Sequence, residues 1–287
     1  MNEERARRRR GRPRGNDPQS TTGTVQALDR GMMLLRILSE QDEVTLTDIA
    51  LDADVAPTSA YRLLVTLQQR GMVSFDEDAQ TWSIGVETFR IGSAFLRRTN
   101  YLEAGRPAMR RLMEATGETS NMAIQGGGDV VFVSQVETHK PIRAFFRPGT
   151  RGHMHASGIG KALLAEQSAE DVHEVIAAKG LPALTPNTLD TAEALFADLQ
   201  RTRERGWAFD DEEGTAGMRC LAAPIFNEFR EAVAGISVSG LAVRLADERL
   251  AEVGAMVREA ADDVTARIGG LQPGRPRSEL VHLPDQL

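Results

Sequence analysis

From Val25 onward the apolar positions fall at Val25, Leu28, Met32 and Leu35, a 3, 4, 3 spacing that predicts an amphipathic helix running to about Ser39. The string TLTDIALDADV predicts a short second helix. Thr47 is placed to cap it, Asp48 suits the positive end of its dipole, and Asp54 stands at the following turn, where left-handed geometry must be tolerated. A third helix is expected from Pro57, whose fixed φ fits the first helical position, to Arg70. Ala60, Leu63, Leu64 and Leu67 gather on one side of it, while Thr58, Arg62 and Gln69 fall on the other, flanked by Ser59, Tyr61 and Thr66. Gly71 closes this helix, and two short runs of strand chemistry, Val73 to Phe75 and Thr81 to Ile84, are joined by an acidic turn. Three helices and a hairpin make a winged helix-turn-helix, in which one face of the third helix packs and the other can read a duplex.

Residues 86 to 98 read as a connecting helix, apolar at Val86, Phe89, Ile91, Ala94 and Phe95 and ending in Arg97 and Arg98. Beyond it the pattern predicts a helix over residues 102 to 116, then strands at 119 to 125, 130 to 136 and 142 to 146. Helices follow at about 157 to 165, 169 to 179 and 191 to 205, then strands at 207 to 210, 221 to 226 and 232 to 240, and a last helix from 245 to 268. Strands in two groups with helices between and after them point to an α+β, sensor-like domain with a helix-covered sheet. The expected organisation is an Arg-rich tail (1 to 22), a DNA-binding domain (23 to 85), a linker helix (86 to 100), a second domain (101 to 270) and a C-terminal tail (271 to 287).

A length of 287 residues suffices for two domains with real cores, and a 41% hydrophobic, 26% charged composition is that of a soluble globular protein. No apolar run approaches the roughly 20 residues of a membrane span, and no secretory signal is present, so no membrane partner is expected. A single Cys excludes an internal disulfide, and a cytoplasmic location is expected. Charge is segregated along the chain. Residues 1 to 20 hold seven Arg against three acids, a balance of +4, whereas residues 21 to 98 hold seven Arg against eleven, a balance of -4. A winged helix of negative balance lacks the basic surface that supplies most nonspecific DNA affinity. The tail RRRRGRPRG can make up the shortfall, since Arg10, Gly11, Arg12 and Pro13 resemble an AT-hook, an extended segment that slips Arg side chains into a narrow minor groove. A second copy, PGRPRSE, lacks the preceding Arg run and is assigned no role. The candidate contacts to double-stranded DNA are thus Arg10, Arg12, Arg30, Thr47, Thr58, Ser59, Tyr61, Arg62 and Gln69, with Arg62 able to pair bidentately with guanine.

In the second domain, HMHASGIGKALLA places a small-residue turn at the start of an apolar helix, where free backbone N–H groups suit a carboxylate or phosphate. The same glycines also permit close helix packing, and the string matches neither a phosphate loop nor a nucleophile elbow. The acidic run Asp210 to Glu213 has the composition of a solvated turn, and a lone Cys such as Cys220 is usually a small buried hydrophobe. In GISVSG, Ser237 and Ser239 stand two apart on a strand, hence on one face, as convergent donors for a small oxyacid. His153 and His155 alternate, but two His without a placed carboxylate do not define a metal site.

The strings VQALDRGMMLLRIL, LTDIA, TSAYRLLVTLQQRGMV, GETSNMAI, HASGIGKALLA, RGWAFDDEE, GMRCLAAPIF and GISVSG together resemble the IclR family of transcription regulators, and most closely its glyoxylate-responsive branch. The resemblance implies a winged helix-turn-helix, a linker helix and a GAF-like α/β effector domain, with dimers that pair through the DNA-binding domains and join into tetramers. It implies an effector pocket of Gly158, Ile159, Asp210, Cys220, Ser237 and Ser239, with Met218 at an apolar contact. Helix N–H groups and serine hydroxyls would hold the carboxylate of a small 2-oxo acid, glyoxylate first, while Asp210 and Cys220 face its aldehyde oxygen or hydrate. No cofactor and no catalysis are implied. Another 2-oxo acid or an aromatic acid is the alternative effector, and a thiol-dependent enzyme on a small aldehyde acid is the alternative class. Departures from the branch are PIRAFF at residues 141 to 146, where Leu and Met are usual, His153 in place of Pro, and a Pro at 57 rather than one position earlier.

Overall fold

Helix α1 (Gln26–Glu40) turns Gly31, Leu34 and Leu38 inward, a row beside the one its spacing first suggests. Val25, Leu28 and Met32 instead remain 67%, 59% and 55% exposed. The helix carries two apolar stripes of the same period, and periodicity alone does not say which faces the core. The structure is a computed structural model that describes residues 25–41, 43–97 and 101–273. The chain divides after Arg98 into two compact units.

In the first unit, Val44–Thr45 forms a two-residue strand, β1, that leads into α2 (Leu46–Asp52). The cap of α2 is Thr45 and not Thr47: the Thr45 hydroxyl accepts from the Asp48 amide at 3.3 Å, so the helix begins two residues earlier than its polar pattern implied. Asp54 adopts φ 49, the left-handed turn before α3 (Pro57–Gln69). The hairpin β2 (Val73–Asp76) and β3 (Thr81–Ile84) completes a three-stranded antiparallel sheet in the order β1-β3-β2. Leu34, Leu38, Val44, Ile49, Leu64 and Trp82, each at most 2% exposed, form its core. Gly71 at φ 67 makes the turn into β2, and a side chain at Gly85 would lie 2.3 Å from the Gly71 carbonyl. Helix α4 (Val86–Arg97) follows.

The second unit is built on a six-stranded, wholly antiparallel sheet in the order β6-β5-β4-β9-β8-β7. Its strands are β4 (Thr119–Gly126), β5 (Asp129–Val136), β6 (Arg151–His153), β7 (Ala208–Asp211), β8 (Met218–Phe226) and β9 (Ala232–Leu241). Alternation decides what covers each face. Met122, Leu221, Ala223, Ile225, Ile236 and Val238 point to α5 (Tyr101–Thr116) and α9 (Asp247–Arg267). Ala123, Phe132, Ala208 and Ala222 point to the layer of α6 (Gly158–Leu164), α7 (Ala169–Lys179) and α8 (Ala192–Arg205). Each of these three helices opens on a hydroxyl cap: Ser157, Ser168 and Thr191. The strand expected at residues 142 to 146 is absent. That stretch lies between Pro141 and Pro148 and follows no ladder, and the edge strand forms instead at Arg151–His153. No described helix is long and apolar enough to cross a membrane.

Candidate effector cavity and DNA-reading face

Antiparallel register brings distant strings into two rows on the α6 face of the sheet. Asp210, Cys220 and Ser239 are direct cross-strand partners, with Thr119 next in line. Ala222, Ser237, Asn121 and Gln135 form the adjacent row. Over these rows lies a cavity of about 280 Å³. Its polar end has Ser157, Asp210, Cys220, Ser237 and Ser239, and its apolar walls include Phe132, Phe146, Ile159, Leu184 and Met218. Six of the seven residues expected at the effector site therefore line one cavity. The seventh, Gly158, sits directly above Cys220: a side chain there would come within 2.8 Å of Sγ. Glycine is needed at 158 for close approach, so packing and access to the site are the same requirement.

The electrostatics of the polar end follow from burial. Desolvation pushes the Asp210 carboxyl up to about 6, against the pull of Lys161 and of backbone N–H groups at Glu213 and Gly214. The Asp210 Oδ1 accepts from the Glu213 amide at 2.8 Å. Desolvation, with the nearby Asp210 charge, pushes the Cys220 thiol up to about 12. A thiol so placed stays protonated, the reverse of what a nucleophilic cysteine needs. Ser239 donates to Cys220 Sγ at 3.2 Å, and the fully buried Ser237 hydroxyl has no nitrogen or oxygen partner, only the Cys220 thiol beside it. A buried hydroxyl without a strong partner is uncommon in a folded protein, and this one faces the cavity.

Lys161, which belongs to no sequence motif of its own, ties α6 to α8 and to the residues on either side of Asp210. Its side chain is 0% exposed, pairs with Asp198 at 2.8 Å and Glu213 at 2.6 Å, and donates to the Phe209 carbonyl. Glu213, with desolvation foremost, rises to about 7. The acidic run is thus only partly a solvated turn: Glu213 is buried at 5% exposure. The sign in the sequence was a Lys within GIGKALL, all seven residues of which are buried. His153 lines the cavity, whereas His155 turns to the Pro182 carbonyl at 3.2 Å. The PIRAFF string contributes Phe146, stacked on Phe132 with centroids 4.3 Å apart, while Ile142 and Phe145 are exposed.

In the first unit, α3 buries Ala60 and Leu64 and leaves Thr58, Tyr61, Arg62, Thr66 and Gln69 exposed, with Ser59 half-buried. Among the described residues no side chain engages the Arg62 guanidinium. Arg30 is half-buried and Thr47 exposed. Arg10 and Arg12 lie outside the described residues.

A winged helix-turn-helix with an open polar recognition face, joined in one chain to a domain with a ligand-sized cavity, defines a ligand-responsive DNA-binding regulator. Residues 27–77 match the IclR helix-turn-helix domain, and residues 93–266 match the bacterial transcriptional regulator IclR C-terminal domain. The chain belongs to the IclR family. It is 46% identical to the HTH-type transcriptional regulator BhcR of Paracoccus denitrificans, over 95% of this chain and 98% of that one. It is 43% identical to the transcriptional repressor IclR of Escherichia coli, over 92% and 97%. The crystal structure of Thermotoga maritima IclR is similar with a TM-score of 0.71 and 28% identity, over 85% of this chain and 99% of that chain. The first two relatives are named as transcription regulators, and both domains of this chain match regulator families.

Proposed function

We propose that the effector is a small 2-oxo acid, glyoxylate in the first instance, held in the polar end of the cavity. The observation that carries this reading is the Ser237 hydroxyl, which meets no nitrogen or oxygen of the protein, beside the Ser239 donor, both buried and both lining the cavity. Two hydroxyls on one strand face suit the two oxygens of a carboxylate, and charge-assisted hydrogen bonds are the stronger kind. Asp210 and Cys220 then face the carbonyl end. The hydrate can donate to Asp210, whereas the free aldehyde only accepts. Met218, Ile159 and Gly158 complete the pocket.

A second reading has its own support. The cavity is several times larger than a five-atom acid, and its spare volume is walled by the stacked Phe132 and Phe146. An aromatic acid would use the same hydroxyls and fill that space. Titration calorimetry with glyoxylate, pyruvate and protocatechuate separates the two: glyoxylate tightest supports the first, protocatechuate tightest the second, and no binding by any of them refutes both.

The proposed DNA contacts are Arg62, Thr58, Ser59, Tyr61 and Gln69 on α3, with Arg30, Thr47 and the tail residues Arg10 and Arg12 adding phosphate and minor-groove contacts. Self-association fits the exposed apolar row of Val25, at the start of α1, and Leu28 and Met32 on it, which supports pairing through the DNA-binding domains into dimers that join into tetramers. Effector binding shifts promoter occupancy to the extent that its affinity differs between the two DNA-binding geometries.

A further inference from the structure

The cavity's second row ends in two residues that no part of the effector reading uses. Asn121 on β4 is 0% exposed. Its Oδ1 accepts from Gln135 Nε2 at 2.8 Å, and its Nδ2 donates to Ser239 Oγ at 3.1 Å. Ser239 in turn donates to Cys220 Sγ at 3.2 Å. The three bonds run in one direction, from Gln135 on β5 through Asn121 and Ser239 toward the cavity.

That direction has a chemical consequence. A hydroxyl that receives a hydrogen bond on its oxygen still has one proton to place. With Asn121 occupying the Ser239 oxygen, that proton is left to point into the cavity. Without ligand it rests on a thiol sulfur, a weak acceptor, and an anionic oxygen there gives a stronger bond. We infer that Asn121, held in its orientation by Gln135, is a specificity-determining residue that fixes Ser239 as a donor and so selects ligands presenting an acceptor oxygen. Neither residue lines the cavity, so both act through Ser239. The inference rests on the reading that the cavity binds a carboxylate, and it assigns the polarity of one of its contacts.

The test pairs two ligands of similar size, glyoxylate and glycolaldehyde, in which a carboxylate is replaced by a group that can donate. Affinities are measured by calorimetry on the full chain for wild type, Asn121→Leu and Gln135→Leu, none of which changes charge, with thermal unfolding to verify folding. Asn121→Leu removes the neutral hydrogen bond that commits the Ser239 proton to the cavity, which predicts about a five- to tenfold weakening of glyoxylate. Glycolaldehyde should change by less than about threefold. Gln135→Leu, one residue further from the ligand, should shift the ratio in the same direction by a smaller factor. Gln135→Glu, which can only accept, forces the amide to turn over and should lower the ratio below that of Gln135→Leu at both low and high salt. Equal weakening of both ligands, or an unchanged ratio in Asn121→Leu, would show a purely structural role and overturn the inference while leaving the carboxylate reading intact. Wild-type protein that binds no small acid refutes the carboxylate reading, and the polarity assignment with it.

Discussion

Replacing Lys161 with Met removes a buried cation at nearly constant shape, because Met is unbranched and of similar length. The side chain is 0% exposed and bridges Asp198 on α8 to Glu213 beyond β7. Asp198 would keep Arg201 at 3.1 Å and Arg205 at 3.9 Å. Glu213 would lose its ion-pair partner, while its second oxygen already has no hydrogen-bond partner. Breaking a buried pair from one side typically destabilises by about 3–5 kcal/mol. With a urea m-value of about 2–3 kcal/mol/M, the unfolding midpoint of the second unit should fall by roughly 1–2 M. Trp207 reports on this unit, with the Arg205 guanidinium 4.4 Å from its ring, while Trp82 sits in the core of the other. Fluorescence in a Trp82→Phe background isolates the transition. Adding Glu213→Gln to Lys161→Met should recover about half of the loss, since the stranded carboxyl must either ionise unpaired or keep a proton that the unfolded chain releases. A midpoint shift below about 0.3 M, or no recovery in the double variant, would refute the view that the buried Lys161 pairs hold α6 and α8 to the end of β7.

Stability of the second unit should fall as pH rises from about 4.5 to 7, by up to about 3 kcal/mol, because Glu213 in the folded chain holds a proton that the unfolded chain has already released. Glu213→Gln should reduce that slope in urea titrations, most between pH 6 and 7, above the range of the likewise raised Asp210; an unchanged slope there counts against the buried-carboxylate assignment. Ser239→Ala should weaken glyoxylate by about tenfold or more and leave DNA affinity without ligand unchanged, and Cys220→Ala should act in the same direction. Arg62→Ala should weaken operator binding by about 1–3 kcal/mol with loss of sequence preference, read by fluorescence anisotropy on specific and scrambled duplexes. Deleting residues 1 to 20 should reduce the slope of log K against log salt; an unchanged slope would mean the Arg run makes no phosphate contacts.

The helices and the wing were legible because period, caps and turn residues act locally: Pro57 starts α3, Gly71 ends it, and Asp54 takes the left-handed turn. Stripe phase on α1 was not legible, since Leu34 and Val25 belong to rows of equal apolarity and only the packing against Ile49, Leu64 and Trp82 chooses between them. The pairing of Ser237 with Ser239 followed from the two-residue period of a strand. Their meeting with Cys220 and Asp210 depends on cross-strand register, which no single string contains. Lys161 and Asn121 escaped notice for the same reason. Their partners lie 52 and 118 residues away, at Glu213 and Ser239. The strand predicted at 142 to 146 had the right apolar character, but it lies between two prolines and joins no ladder, and its Ile142 and Ala144 carbonyls accept from the Arg244 and Thr119 side chains instead.

The most direct test of effector control is the affinity of the full chain for the DNA upstream of its own gene, measured at fixed salt with and without saturating glyoxylate. A change of about fivefold or more, abolished in Ser239→Ala, is the predicted result. Equal affinities under both conditions, with glyoxylate bound, would contradict it.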